Sequence, residues 1–205
     1  MPPKFLYFDL GKVLVNFDVG QMYRQIGEVS GVDPARVREV LFDGRLQKQH
    51  ELGQTSTLEF YEAFCRQTGT RPDYDELIRA ASDIFEINVG ILPVVSQLQE
   101  TGQRLGVLSN TSCDHWEHCR RRFTIVAEPF PVHTLSYEIG AAKPDPPIFR
   151  AAAERAGVDP GEIFFVDDIA ENVTGALAAG FDAVQYTSAP ELVRALRRRG
   201  LRFNY

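Results

Sequence analysis

The feature that most constrains this chain is a pair of short apolar runs, far apart in sequence, each ending in acid. The first is Lys4-Phe5-Leu6-Tyr7-Phe8-Asp9, continuing as Leu10-Gly11-Lys12-Val13-Leu14-Val15; the second is Ile163-Phe164-Phe165-Val166-Asp167-Asp168. Runs this short, rich in aromatic and branched residues and without alternation, predict strands buried on both faces, as in a parallel sheet. Asp9 then stands at the carboxyl end of its strand, where open α/β sheets place their ligands. A single Asp after a strand serves equally well as a helix N-cap or turn former. Three carboxylates at one rim do not, because they repel unless something positive sits among them. Such a set suits a hard, oxygen-seeking cation such as Mg²⁺.

With 205 residues the chain can bury a substantial core. Its 44% hydrophobic and 24% charged residues are those of a globular protein. A net charge of −6 argues against nucleic acid or an anionic membrane as partner. The basic runs Arg120-Arg121-Arg122 and Arg197-Arg198-Arg199 therefore read as solvated helix faces. Three cysteines (Cys65, Cys113, Cys119) form no CxxC pair and suggest a reducing compartment. Asp9 and Lys12 interrupt the early apolar run, so no signal peptide is expected, and no stretch reaches membrane-spanning length. The expectation is a cytoplasmic protein acting on a small molecule, as a monomer or homodimer.

Between Asn16 and Asn88 the pattern reads as helical throughout. Asp33-Pro34 supplies an N-cap and a first-turn proline, and Ser56-Thr57-Leu58-Glu59 is a capping box. A further helix is expected over Asp73–Phe85. From Val89 onward helices alternate with strands, at Leu105–Leu108, Val132–Leu135, Ile163–Val166 and Asp182–Tyr186. Alternation of this kind implies a parallel sheet wound on both faces. The expected fold is α/β, a doubly wound, Rossmann-like parallel sheet formed by 1–15 and 89–205, with residues 16–88 as an inserted helical cap.

Four strand-end sites converge on one rim: Asp9, Ser109, Lys143 and Asp167-Asp168. Together they make a phosphoryl-transfer set. A carboxylate can attack as nucleophile and form an aspartyl-phosphate. A hydroxyl can bond a phosphate oxygen, and a lysine can neutralise the transferring group. The acidic pair can hold a divalent ion that draws nucleophile and phosphate together despite their like charges.

Phe8-Asp9-Leu10-Gly11-Lys12-Val13, Leu108-Ser109-Asn110, Gly140-Ala141-Ala142-Lys143-Pro144 and Val166-Asp167-Asp168-Ile169-Ala170-Glu171-Asn172 resemble the four motifs of the haloacid dehalogenase superfamily. The insertion sits where that superfamily places its first-type cap. Within it, Asp-Leu-Gly-x-Val and Gln49-His50-Glu51-x-Gly53 look most similar to the bacterial α-D-glucose-1-phosphate phosphatase group. The resemblance implies Asp9 as nucleophile, with Ser109 and Lys143 binding the phosphoryl group; Asn110 and, from the cap, His50 are further candidate substrate-binding residues. It also implies Mg²⁺ held by Asp9, the Gly11 carbonyl and Asp168, with Asp167 and Asn172 in support.

One departure matters. The usual pattern has a second aspartate two residues after the nucleophile, acting as general acid and then base; here that residue is Gly11. Glycine keeps the carbonyl, so the metal need not suffer, but leaving-group protonation does. General acid–base help is worth ~10²–10⁴-fold, against enzymatic accelerations of up to ~10²¹-fold for phosphate monoesters. The expectation is a working enzyme that favours leaving groups needing little protonation, such as anomeric sugar, acyl or aryl phosphates. Asp18 and His50 are candidate stand-ins for the acid.

Two alternatives stay open. Haloacid dehalogenases use the same nucleophile on carbon, lack the second aspartate and need no metal, which leaves Asp167-Asp168 without a purpose. A phosphate-binding or regulatory protein with weakened catalysis is the other. Phosphomutase chemistry is disfavoured, since it needs the missing acid. Along Cys113-Asp114-His115-Trp116-Glu117-His118-Cys119, His115, His118 and Cys119 could share a helix face, but the spacing matches no closed zinc motif and a polar helix is expected. Trp116, Tyr61 and Phe64 read as packing residues.

Overall fold

The computed structural model describes residues 2–204. Strand β1 (Phe5–Phe8) is followed by β2 (Val15–Phe17) and then by five helices. These are α1 (Val19–Ser30), α2 (Pro34–Arg38), α3 (Leu46–Glu51), α4 (Thr57–Thr68) and α5 (Tyr74–Ser82), with a π-helical turn at Glu39–Asp43 between α2 and α3. The chain returns through β3 (Phe85–Ile87), α6 (Leu92–Glu100), β4 (Arg104–Ser109), α7 (Cys113–Arg122), α8 (Thr124–Ala127) and β5 (Val132–Leu135). It ends with α9 (Ser136–Ile139), α10 (Pro146–Ala156), β6 (Ile163–Asp167), α11 (Ala170–Ala178), β7 (Asp182–Gln185) and α12 (Ala189–Arg198).

Five strands form one parallel sheet in the order β5-β4-β1-β6-β7. The chain leaves β1 toward β4 and β5, then crosses to β6 and β7. The β1–β6 boundary is therefore the point where strand order reverses, and a crevice opens there at the carboxyl ends. The absence of alternation in β1 has its reason here: Leu6 and Phe8 face the core shared with α6, α7 and α12, while Phe5 and Tyr7 face the core under α10 and α11.

Local signals hold where expected. Ser56 and Glu59 make a reciprocal capping box on α4, and Asp33 caps α2 ahead of Pro34. Asp18, by contrast, is the N-cap of α1, accepting from the Gly20 amide at 2.8 Å. Trp116 and Phe64 are fully buried, and Tyr61 donates its hydroxyl to the Pro72 carbonyl at 2.7 Å.

The segment expected to be helical throughout is not. Its two ends pair as an antiparallel ribbon, with Val15 opposite Ile87 and Phe17 opposite Phe85, and α5 stops at Ser82 rather than running to Phe85. Each ribbon strand is three residues long, too short for alternation to register, and its partner lies across the whole insertion. Only the closed chain defines it. The helices α1–α5 thus hang from a two-stranded neck. No helix among the described residues is long and apolar enough to cross a membrane.

Candidate active site

The sheet register sets the acids side by side. Phe8 pairs with Val166, so the next residues, Asp9 and Asp167, leave adjacent strands at the same level. The Asp9 amide donates to the Val166 carbonyl at 2.9 Å, extending the ladder one step beyond the strand. Among the described residues, carboxylate oxygens of Asp9, Asp167 and Asp168 lie within 4.8 Å of one another.

Lys143 occupies the middle. Its ammonium donates to Asp167 Oδ2 at 2.6 Å, to the Leu108 carbonyl at 2.9 Å, and pairs with Asp9 Oδ1 at 2.9 Å. Burial alone would lower its pKa, but Asp9 and Asp167 outweigh that and hold it above the ordinary lysine range. Asn110 positions the lysine's backbone: its Oδ1 accepts from the Lys143 amide at 2.8 Å and its Nδ2 donates to the Lys143 carbonyl at 2.9 Å.

The two acids of the second motif differ in their partners. Asp167 is fully buried, and its oxygens accept from the Ile169 amide at 2.8 Å, from Asn172 Nδ2 at 3.1 Å and from Lys143. Asp168 is half-buried and keeps its carboxylate at the crevice, where burial and the Asp167 charge raise its pKa. Asp9 is raised to about 6, chiefly by burial and also by Asp167, although Lys143 and the Ser109 hydroxyl pull it down. One ammonium therefore faces three carboxylates. The donor set is all hard oxygen and short of positive charge, which fits a divalent cation such as Mg²⁺.

A cavity of about 180 Å³ opens beside this rim, bordered by Gly11, Ser109 and Asn110 on one side and by the ribbon, α1, the π-helical turn and α3 on the other. Phe17, Met22, Leu41, Ile84 and Phe85 make its apolar wall, while Gln47 and Glu51 bring polar groups from α3. A second, outer cavity shares Gln47, Glu51 and Asn110 with it and reaches Lys143.

The structure brings Asp9, Ser109, Asn110, Lys143, Asp167, Asp168 and Asn172 together. It does not bring His50 to the cavity. His50 Nε2 is 2.6 Å from Asp114 Oδ2 on α7, its Nδ1 is 3.0 Å from the Thr55 carbonyl, and its ring stacks on Phe60. Both nitrogens are engaged, so the residue expected to reach substrate instead ties α3 to α7. Thr57 donates to the same aspartate at 2.8 Å, Ser136 donates to the Glu51 carbonyl at 2.6 Å, and Gly53 packs on the Tyr137 backbone. The Gln49–Gly53 stretch is thus the seam between the inserted helices and helices α7 and α9. Asp18, paired with Arg24 at 3.3 Å, is an exposed cap. On α7, His115 Nε2 is 3.1 Å from the Ala81 carbonyl and burial pushes its pKa down to about 4, while Cys119 is buried. Two residues had no role assigned from sequence: Phe17, whose ring lies against Gly11, and Glu51, which stood only within the Gln49–Gly53 resemblance and whose place at the junction of the cavities depends on how α3 docks.

Comparison with known proteins agrees with this geometry. Residues 6–180 match the haloacid dehalogenase-like hydrolase family. A phosphatase of Mycobacterium tuberculosis is 30% identical over 183 residues, spanning 86% of this chain and 83% of its own. A D-ribitol-5-phosphate phosphatase of Bacteroides thetaiotaomicron is 27% identical over 197 residues, spanning 89% and 91%. A haloacid dehalogenase family enzyme from Bacteroides thetaiotaomicron, solved with magnesium and inorganic phosphate, superposes with a TM-score of 0.79 at 28% identity over 91% of this chain and 95% of that one. The chain belongs to the haloacid dehalogenase-like hydrolase family, as a hydrolase of the phosphatase type.

Proposed function

We propose that the protein is a Mg²⁺-dependent phosphatase that hydrolyses a small phosphorylated metabolite through an aspartyl-phosphate on Asp9. The observation that carries this reading is the buried Lys143 ammonium shared between Asp9 and Asp167, with Asp168 alongside. Asp9 Oδ1 is held by the Leu10 amide at 2.7 Å and by Lys143. That restraint aims the other oxygen, Oδ2, at phosphorus. The Ser109 hydroxyl donates to a phosphoryl oxygen, and Lys143 neutralises charge on the group in transfer. Asp9, Asp168 and the Gly11 carbonyl would hold Mg²⁺, which supplies the positive charge that lets two anions approach. Asp167, Asn172 and Asn110 keep Lys143 in place.

The cavity favours a leaving group with one apolar face and one polar edge, a description that a sugar or polyol phosphate meets. An anomeric sugar phosphate also needs little protonation as it leaves, which suits a site with glycine at position 11. We place residues 16–88, with their two-stranded neck, as the cap over a core of 1–15 and 89–205, and the protein in the cytoplasm. A phosphorylated-metabolite panel with Mg²⁺ tests the reading, with Asp9→Asn as control. Release of inorganic phosphate that requires both Asp9 and Mg²⁺ is expected. Undiminished turnover in EDTA, or chloride release from a 2-haloacid without metal, would overturn it.

A further inference from the structure

The site as described has no general acid, and Asp18, His50 and His115 do not supply one. Asp18 caps a helix at the surface. His50 has both ring nitrogens engaged. His115 is held neutral by burial, with one nitrogen on a backbone carbonyl. Tyr23 borders the inner cavity too, but burial raises its phenol further above the range of a group that must lose and regain a proton each cycle.

The carboxyl group that does border the inner cavity is Glu51, at the end of α3. It shares that cavity with Gly11 and Ser109, and it shares the outer one with Lys143. We infer that Glu51, brought in by the helical insertion, takes the place of the missing aspartate as proton donor to the leaving group and then as base for water. This rests on the phosphatase reading above.

Three features of its setting suit the task. Oε1 accepts from Gln47 Nε2 at 3.0 Å, one turn back on the same helix, which fixes the carboxyl while leaving Oε2 without a partner among the described residues. The backbone beneath it is pinned to Ser136 of α9 at 2.6 Å, so the group is positioned from outside the insertion as well. Burial holds its carboxyl above the ordinary range, against the pull of Gln47, His50 and Lys48. The other charged groups around it are Lys143, Arg45 and Asp145 across the outer cavity, with neutral His115 across the inner one.

As Asp9 Oδ2 bonds to phosphorus, the P–O ester bond breaks, its electron pair stays on the ester oxygen, and the Glu51 proton moves there to give the free alcohol. Glu51 carboxylate then takes a proton from water as the water oxygen attacks phosphorus. The bond to Asp9 breaks with its pair returning to the carboxylate, inorganic phosphate leaves, and Glu51 is protonated again.

The test is a series of phosphate esters graded by leaving-group pKa, from p-nitrophenyl phosphate to simple alkyl phosphates, with wild type, Glu51→Gln and Glu51→Asp. Glu51→Gln is expected to lower kcat/KM on alkyl phosphates by ~10²–10⁴-fold, while kcat/KM on p-nitrophenyl phosphate changes less than about threefold. Its kcat on the aryl ester falls, with a burst of nitrophenolate as the aspartyl-phosphate accumulates. Glu51→Asp recovers part of the alkyl rate. An equal loss on every ester, as a merely structural residue would give, overturns the inference alone, and so does an undiminished alkyl rate. A wild type that cleaves none of the esters overturns the phosphatase reading and this inference with it.

Discussion

A Cβ built on Gly11 would lie 2.7 Å from Cε1 of Phe17, so the phenylalanine ring occupies the space that a side chain at position 11 would need. The ring packs on Phe85 with centroids 6.0 Å apart, and the Lys12 ammonium sits 4.5 Å from its centroid.

Gly11→Asp alone is therefore expected to destabilise by about 1–3 kcal/mol, the usual cost of overpacking, without improving alkyl phosphate turnover. Gly11→Asp with Phe17→Ala should relieve the clash and raise that turnover, most visibly in a Glu51→Gln background. Thermal denaturation of the two single variants and the double closes the cycle. Additive losses would show that the ring and position 11 do not compete.

Lys143→Met should abolish turnover and cost about 3–5 kcal/mol, because it leaves buried carboxylates unpaired. Added Mg²⁺ should recover part of the lost stability and raise Tm more than it does for wild type, since the ion replaces the missing charge. Tm measured against Mg²⁺ concentration checks this.

Asp167 and Asp168 should separate. Asp168→Asn is expected to raise the Mg²⁺ concentration needed for half-maximal activity at least tenfold while leaving Tm nearly unchanged. Asp167→Asn removes the partner of Lys143 and Asn172 and should lower Tm by several degrees. Equal effects of the two on metal dependence would contradict the geometry.

The His50–Asp114 tie should depend on pH. Burial pulls His50 down, but Asp114 and the Thr55 carbonyl leave its pKa raised above 6.5. A histidine raised on folding contributes stability that is fully present below its unfolded pKa and is lost as pH rises through the folded one. For Asp114, burial is outweighed by His50 and Thr57, leaving it lowered; its contribution holds above its unfolded pKa of 3.8 and fades as pH falls through the folded value. His50→Gln should thus cost about 1.5–3 kcal/mol near pH 6, as for a charge-assisted hydrogen bond, and clearly less near pH 9. Denaturant melts of both proteins at the two pH values decide it.

Gly53→Ala should loosen the seam between the inserted helices and helices α7 and α9. Gly53 has φ +65°, and a Cβ there would meet the Tyr137 carbonyl oxygen at 2.1 Å. Gly69 has φ +73° with nothing near, so Gly69→Ala carries the backbone strain without the collision. A markedly larger drop in Tm for Gly53→Ala is expected; similar drops would assign the cost to backbone conformation alone.

What the sequence determined by itself was everything encoded in contiguous residues. The unalternating runs around Asp9 and Asp167 specify strands covered on both faces, the Ser56 capping box starts α4, and the helix–strand rhythm after Val89 gives the parallel sheet. With strand-end residues so placed, Asp9, Ser109 and Asp167-Asp168 had to meet at one rim, while Lys143 reaches it from the turn between α9 and α10 rather than from a strand end. The rest depended on contacts between distant segments. The ribbon joins Val15–Phe17 to Phe85–Ile87 through three residues on each side. His50 is drawn to Asp114, Phe17 is folded against Gly11, and Glu51 reaches the cavities only because α3 docks on α7 and α9. Local sequence fixes which way a chain turns, but where a side chain from one end meets a backbone from the other is decided only when the closed core leaves a single place for it.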